Sequence, residues 1–436
     1  MRTSGWGRFP SINENAEPFS KGLFQDSKPT HAPPFIARGC GKSYGDSALA
    51  QHMCDMTNHK QILHFDERNG QLHCQSGVLI ADILEQYLPQ GWLLPVMPGT
   101  KYITIGGAIA ADIHGKNHYK EGCFSESIIE LTLFDIQGKS HTCSPEKNPD
   151  LFHSSCGGMG LTGIIDSAIL QLKPVTSQYI EQSIVKTANL KETLAYFKHY
   201  QNHDYCVAWL DCFSQYSEIG RGVFEAGQHS RKGGLSYKKT KRLSLPFHLP
   251  FQLTSWLINR ASMKTFNTLY LAKAPKHITQ KTTNLDGFLF PLDYIQNWNL
   301  IYGHKGFLQY QIVLPVVNSE KGISALLHCI KNSQETPTLA VLKSTGEVNA
   351  NLLSFPLKGF ALAIDFKIKN TTLGFLYQLD KIVLEYGGRV YLAKDARAPK
   401  AIFDAGYPNI ERFRHYREQQ NFVQYYASQQ SQRLSL

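Results

Sequence analysis

A chain of 436 residues, 42% hydrophobic and 11% aromatic, is long enough for two domains with proper cores, and this excludes global disorder. Its 45 Lys and Arg against 35 Asp and Glu leave a net charge of +10. That balance suits a dinucleotide, a phosphorylated substrate, an anionic membrane or nucleic acid, and does not choose among them. The nine cysteines include no C-x-x-C pair, which argues against a disulfide frame or a zinc centre. They read as reduced thiols of a cytoplasmic protein, with no metal site. The N-terminal stretch is polar and lacks an apolar h-region, so no signal peptide is expected. No apolar run reaches the length of a membrane span.

In chain order, Pro34 to Ala37 reads as a short strand that ends at a glycine loop, Arg38 to Gly45. Gln71 to Gly77 alternates like a strand, and Ala81 to Leu88 follows as an amphipathic helix stopped by Gly91. Ile128 to Ile136 and Ser140 to Cys143 flank Gln137-Gly138, a hairpin signal. Pro149 opens a short helix, and the β-branched run Gly163 to Leu172 is a strand stopped by Lys173-Pro174. A domain boundary is placed there. Beyond it, strands Val207 to Asp211, Gly306 to Val313 and Gly359 to Phe366 alternate with helices Leu190 to Tyr200 and Leu373 to Tyr386. This predicts a mixed sheet with helices on one side. Residues 230–281 form a basic and then apolar insertion. No internal repeat is visible in the sequence.

Four motifs carry chemistry. Arg38-Gly-Cys-Gly-Lys-Ser-Tyr-Gly-Asp46 can turn successive backbone N–H groups toward one phosphate, though a plain surface turn explains it equally well. The segment from Pro98 to Asn117 alternates glycine and small residues with β-branched ones, then presents His114 and Lys116 around a glycine. Small side chains there let a flat ring or a pyrophosphate lie against backbone; a buried turn with a structural histidine is the plainer reading. Gly158, Gly160 and Gly163 spell a G-x-G-x-x-G, but a helix precedes it and a strand follows, the reverse of the Rossmann order. In Gly387 to Arg397, Val390 and Leu392 face one side of a short strand and Tyr391 and Ala393 the other. Lys394 emerges at the strand's end; an exposed charged turn is the commoner fate of such a run.

Taken together, the glycine loop, the PGT…IGGAIA segment and GGMGLTGII resemble the vanillyl-alcohol-oxidase/PCMH-type FAD-binding family. The strings RGCGKSYGD, GGAIAADIHGKNH, FLQYQIVLP and GGRVYLAKDAR are similar to a subgroup that oxidises the 2′-hydroxyl of a polyprenyl-phosphate-linked ribose. The resemblance spans about Phe35 to Tyr407. It implies an α+β fold with residues 1–174 binding FAD and 175–380 forming a mixed-sheet substrate domain. Residues 381–436 would return to the FAD domain and the active site. Ala37, Arg38, Gly39, Cys40, Gly41, Lys42, Ser43, Tyr44, Gly45, Asp46 and Ser47 would wrap the pyrophosphate. Gly99, Thr104, Ile105, Gly106, Gly107, Ala111, Asp112, Ile113 and His114 would line the flavin and the adenosine path, Ile164 would touch the cofactor, and Tyr391 would lie by the flavin. Lys394, Tyr44 and His114 would be catalytic, and Lys116, Gln309, Gln311 and Lys343 would join Lys394 in holding the substrate.

Two departures from the family pattern stand out. Lys42 occupies the place where many relatives carry a flavin-linking histidine, which implies non-covalent FAD. Ala361 and Ala363 stand where the subgroup has an asparagine and a cysteine near the sugar. The resemblance further implies a keto-sugar product, reduced by a separate NADH-dependent short-chain reductase to complete an epimerisation in the making of a cell-envelope polysaccharide precursor. The rival readings are an FAD oxidase of a soluble alditol or aldonolactone, and a flavin-binding protein without turnover. Nucleic-acid binding ranks low, since no such module accompanies the charge. Residues 230–260 pair basic charge with an apolar, Trp-bearing stretch. That pairing suits a peripheral contact with an anionic inner membrane, or equally an insertion packed on its own domain.

Overall fold

The structure, a computed structural model, describes residues 2–19, 34–237 and 256–436, together with the backbone of residues 243–244. Besides two two-stranded pairs, the first part holds a three-stranded and a five-stranded sheet. In the smaller, His52–Asp55 lies between Ala16–Pro18 and Phe35–Arg38, parallel to both. In the larger, the order is Ser140–Cys143, Ile128–Phe134, Ile164–Gln171, Gln71–Gln75, Ile62–Asp66, antiparallel throughout. Gly138, at φ +75°, makes the expected hairpin between the first two of these strands. Helix Ile80–Tyr87 turns Ile80, Ile83, Leu84 and Tyr87 inward, as its apolar spacing requires. The glycine string 157–163 lies between helix Pro149–Ser155 and strand Ile164–Gln171, the order that sets it apart from a dinucleotide fingerprint.

From residue 179 onward, eight strands form one sheet. Their order is Thr279–Asn284, Tyr179–Thr187, Gly222–His229, Tyr205–Leu210, Pro337–Thr345, Gly359–Lys367, Phe307–Pro315 and Arg389–Val390. The sheet was expected to be mixed, but every pair in it is antiparallel. The reason is a split crossover used twice. Strand Tyr179–Thr187 leads through helix Leu190–His199 to Tyr205–Leu210, and Gly222–His229 inserts between the two strands. Strand Phe307–Pro315 leads through helix Val316–Asn332 to Pro337–Thr345, and Gly359–Lys367 inserts in the same way. The inserted strand opposes both neighbours, so each crossover is hidden inside antiparallel pairing. The two units meet at Trp209 and Val341, a repetition of shape that the sequence does not display.

Period-two alternation gives this sheet two faces. Leu308, Tyr310, Ile312 and Leu314 are buried on the helix side, where Tyr310 donates to Asp380 of helix Thr372–Glu385 at 3.1 Å. Phe366 meets Phe375 there edge to face. Gln309, Gln311, Ala361, Ala363 and Asp365 therefore belong to the opposite face, turned toward the first part of the chain. The C-terminal residues run back to that first part: Arg417 donates to the carbonyl of Leu161, and Arg433 reaches Asp46.

Candidate active site

The glycine loop after strand Phe35–Arg38 is held from three sides. Arg38 points inward rather than out, donating to the carbonyls of Ala48 at 2.9 Å and Ser4 at 2.7 Å. Gly41, at φ +61°, has the Arg38 guanidinium where a Cβ would stand, 2.3 Å away. Gly45 abuts the carbonyl of Asp395, which a Cβ would meet at 1.8 Å, and the Tyr44 amide donates to Ala393 at 3.0 Å. The N-terminal segment, which no sequence motif tied to the site, also reaches this loop: the Trp6 amide donates to Ser43 at 2.7 Å. The ammonium of Lys42 stands 3.3 Å above the Trp6 ring. Among the described residues the amides of Gly39, Cys40, Gly41 and Ser43 donate to no group of the chain. Consecutive N–H groups free in a glycine loop fit a diphosphate.

Several residues expected at the cofactor serve the frame with their side chains. Asp46 is buried and receives two bonds from Arg433, which also binds Asp395. Asp112 is fully buried at φ +38°, and its carboxylate accepts from the Ser125 amide, Asn349, Asn351 and Ser354. Ile164 is buried in a small cluster with Phe35, Cys54, Met56, Ile136 and Tyr426. Ser47 is buried behind the loop and Ala37 lies in the strand before it. At these positions only the backbone is left to meet a ligand.

The second small-residue segment contains a short helix, Ile105–Ala110. Thr104 caps it by accepting from Gly107 at 3.1 Å, and the Gly106 amide donates to Ser76 at 2.7 Å. The Thr104 hydroxyl is 2.3 Å from where a Cβ on Gly39 would stand, so the two glycine segments touch through that missing methyl. Gly99 faces open space. Ile105, Ala111 and Ile113 are buried, and the Ala111 carbonyl accepts from Tyr391 at 2.9 Å. This is the cradle that a flat ring needs: small residues on one side, and the stacked rings of Phe355 and Tyr391, 4.5 Å apart, beside it.

His114 lies between that stack and the sheet. Gln311 donates to its Nε2 at 2.8 Å, so the ring proton sits on Nδ1, which is buried and has no partner among the described residues. Burial above all, then the charges of Lys343, His118 and Lys394, hold this imidazole well below its ordinary range and therefore neutral. That N–H is a donor a bound ligand can use.

Lys394 was expected at a strand's end. The strand stops at Val390, and residues 391–395 form a turn in which the Lys394 and Asp395 amides both donate to the Tyr391 carbonyl. That turn drops the Lys394 ammonium onto the Tyr44 ring, 3.6 Å from its centre. Tyr44 is itself wedged against Phe307, at 5.4 Å. Burial lowers Lys394 to about 7, with Asp365 opposing and Lys343 adding to the fall. Lys343 falls to about 8 through burial and then Lys116, and Lys116 to about 8 through burial opposed by Glu225. Lys116 donates to the carbonyl of Phe288. Lys343 and Lys394 keep some accessible surface toward the cleft.

The register of three strands sets the floor of the site. One row across the sheet is Lys343, Ala361, Val313; the next is Val341, Ala363, Gln311; the third is Leu339, Asp365, Gln309. The two alanines thus lie in the floor between a lysine and two glutamines. Asp365 is absent from the residues expected at the site, although a lone acid in the apolar run Phe360 to Phe366 was the available signal. It is 1% exposed and accepts from Gln309 at 2.7 Å. The segment 100–101 is tied to residues 286–293. Thr100 and the Lys101 amide bind Asp293, and the buried Lys101 ammonium binds Asp286 at 2.5 Å.

Residues 29–144 match the model of the FAD binding domain family. The chain is 35% identical over 412 residues to decaprenylphosphoryl-β-D-ribose oxidase of Mycolicibacterium smegmatis, covering 92% of this chain and 89% of that one. It is 27% identical over 368 residues to an uncharacterised protein of Streptomyces coelicolor, 81% of this chain and 99% of the other. L-gulonolactone oxidase of Mus musculus is 29% identical, but over only 36% of this chain and 35% of its own. The first likeness runs through both sheets and the C-terminal return, where the lactone oxidase matches about a third of the length. The chain is an FAD-dependent oxidoreductase, and it belongs to the PCMH-type FAD-binding family in which decaprenylphosphoryl-β-D-ribose oxidase is found.

Proposed function

We propose that this enzyme oxidises a secondary hydroxyl of a sugar, the 2′-hydroxyl of a polyprenyl-phosphate-linked ribose, to a ketone. The observation that carries the reading is Lys394, a half-buried amine near neutrality, seated on Tyr44 above a floor of glutamines and small residues. Bound FAD supplies the hydride acceptor. It would be held by the free amides of the glycine loop, the small-residue segment around Gly106 and Gly107, and the unpartnered Nδ1–H of His114. With Lys42 on Trp6 in place of a linking histidine, the cofactor is held without a covalent bond. Neutral Lys394 takes the hydroxyl proton; Gln309 and Gln311 offer amides to the sugar; Lys343 and Lys116 offer positive charge to its phosphate. The keto sugar is then a substrate for a separate NADH-dependent reductase.

A lipid-linked substrate asks for a surface that meets the membrane. Residues 226–285 contain eleven Lys and Arg and no Asp or Glu. Lys238, Lys239, Lys241 and Arg242, and the apolar stretch down to Ser255, lie outside the described residues. Within them, Trp256, Leu257, Phe266, Leu269 and Tyr270 are exposed large side chains, the last three on helix Arg260–Lys273. Tyr270 packs on Trp209 of the sheet, which ties this apolar face to the site. Apolar side chains among cations suit shallow insertion into anionic lipid. The test of the activity is anaerobic bleaching of the bound flavin. A short-chain polyprenylphosphoryl ribose should bleach it; bleaching by free alditols or aldonolactones alone would replace this reading with that of a soluble-sugar oxidase.

A further inference from the structure

Asp365 is an acid on the floor of the site, and its surroundings are unusual for a carboxylate. Its Oδ1 accepts from Gln309, its directly opposed neighbour in the sheet, at 2.7 Å. Its Oδ2 is buried and has no hydrogen-bond partner among the described residues. The buried carboxylates Asp46, Asp286, Asp380 and Asp395 each have a cation within contact, and Asp112 and Glu335 each take neutral donors, whereas the Asp365 carboxylate has a hydrogen bond from Gln309 alone among the described residues. Instead, Lys394 acts on it through space, as it acts on Lys394, and Tyr44 and Tyr302 face it as well. Gln309 also acts on Tyr44, on whose ring the Lys394 ammonium rests. Lys394 for its part faces Tyr44, Asp365, Lys343 and His114. A full charge on either partner alone is costlier here than the pair as neutral acid and amine, or as carboxylate and ammonium.

We propose that Asp365 is a positioning residue for Lys394, whose carboxylate stabilises the ammonium formed when the lysine amine takes the substrate's hydroxyl proton. The inference rests on the reading of Lys394 as proton acceptor. The step is balanced: the O–H bond of the hydroxyl breaks, an N–H bond forms on Nζ, and the new positive charge faces Asp365. Burial raises the Asp365 carboxyl to about 7, and the Gln309 bond to Oδ1 and then the charge of Lys394 oppose that rise, so the carboxylate is favoured when Lys394 becomes an ammonium. Without the acid, the same ammonium would form against Lys343 with nothing to offset it.

Asp365→Asn tests this, since asparagine keeps the shape and can still accept from Gln309. The proton affinity of Lys394 is read without any sugar, by competitive labelling with acetic anhydride across pH and mass spectrometry of the Lys394 peptide. In the wild type this lysine should titrate near 7. Removing the opposed charge should lower its proton affinity roughly tenfold. The acid-side limb of flavin reduction should move to lower pH with it, and the plateau rate should fall. Bound FAD and melting temperature report whether the variant folds. Gln309→Leu is the second variant: it removes the bond that favours the ionised form of Asp365, so Lys394 should move in the same direction by less. An unmoved Lys394 titration in whichever variant folds overturns the proposal, as does a moved titration with an unmoved kinetic limb. Labelling needs no substrate, so its outcome does not depend on which sugar the enzyme oxidises.

Discussion

Gln311 donates to Nε2 of His114 at 2.8 Å, and that single bond decides which nitrogen of the imidazole faces the cradle as a donor. The histidine stays neutral because burial above all, and then Lys343, His118 and Lys394, oppose a second proton. His114→Ala should slow flavin reduction about 10²-fold, the cost of losing one preorganised donor. Gln311→Leu should cost about tenfold by freeing the tautomer. Anaerobic stopped-flow measurement compares them; a Gln311→Leu rate lower than that of His114→Ala would mean Gln311 acts mainly on the substrate.

Lys394→Ala should bind FAD normally and lose at least about 10²-fold in reduction by substrate, the range for a missing acid–base group. In the wild type the rate should rise with pH through about 7, because burial lowers Lys394 and only the neutral amine accepts a proton. A rate that instead falls across that range would assign the ammonium, not the amine, as the working form.

Acid precipitation of the yellow protein should release all of its flavin into the supernatant as FAD. Colour left in the pellet would mean that a residue other than Lys42 forms a link.

Asp112→Ala should destabilise the protein by about 2–4 kcal/mol, since it strands buried donors of Asn351, Ser354 and the Ser125 amide at once. Thermal unfolding of the FAD-loaded protein measures it. A melting temperature within a degree of the wild type would show that water replaces the carboxylate cheaply.

Co-sedimentation should find the protein on anionic vesicles and not on neutral ones, less so at high salt. Phe266→Ser with Leu269→Ser, both exposed, should weaken that binding without lowering bleaching by a short-chain substrate in solution. Equal sedimentation of the double variant and the wild type on anionic vesicles rules out this helix face.

The sequence by itself determined the elements whose signals are local. Periodicity located strands Gln71–Gln75 and Ile164–Gln171 and helix Ile80–Tyr87 to within a residue or two, and glycine at φ +75° marked the 137–138 hairpin. The order of helix and strand around 157–163 was enough to set aside a dinucleotide fingerprint. Lys394, Tyr44, His114 and Gln311 could be gathered as one site because long motifs resembling a family carry them together. Pairing between distant strands was not legible, because register is fixed by packing: the antiparallel sheet and its two split crossovers depend on which strand inserts between which. The same holds for side-chain roles. Asp46 and Asp112 look like ligand contacts in sequence, yet Arg433 and the 349–354 loop, hundreds of residues away, take up their charge. Asp365 looks like an ordinary strand residue. It is an acid without a contacting cation among the described residues only because the sheet sets it opposite Gln309 and the turn at 391–395 brings Lys394 to face it. A residue's chemistry is written in the chain, but its pKa and its partners are set by what the fold packs around it.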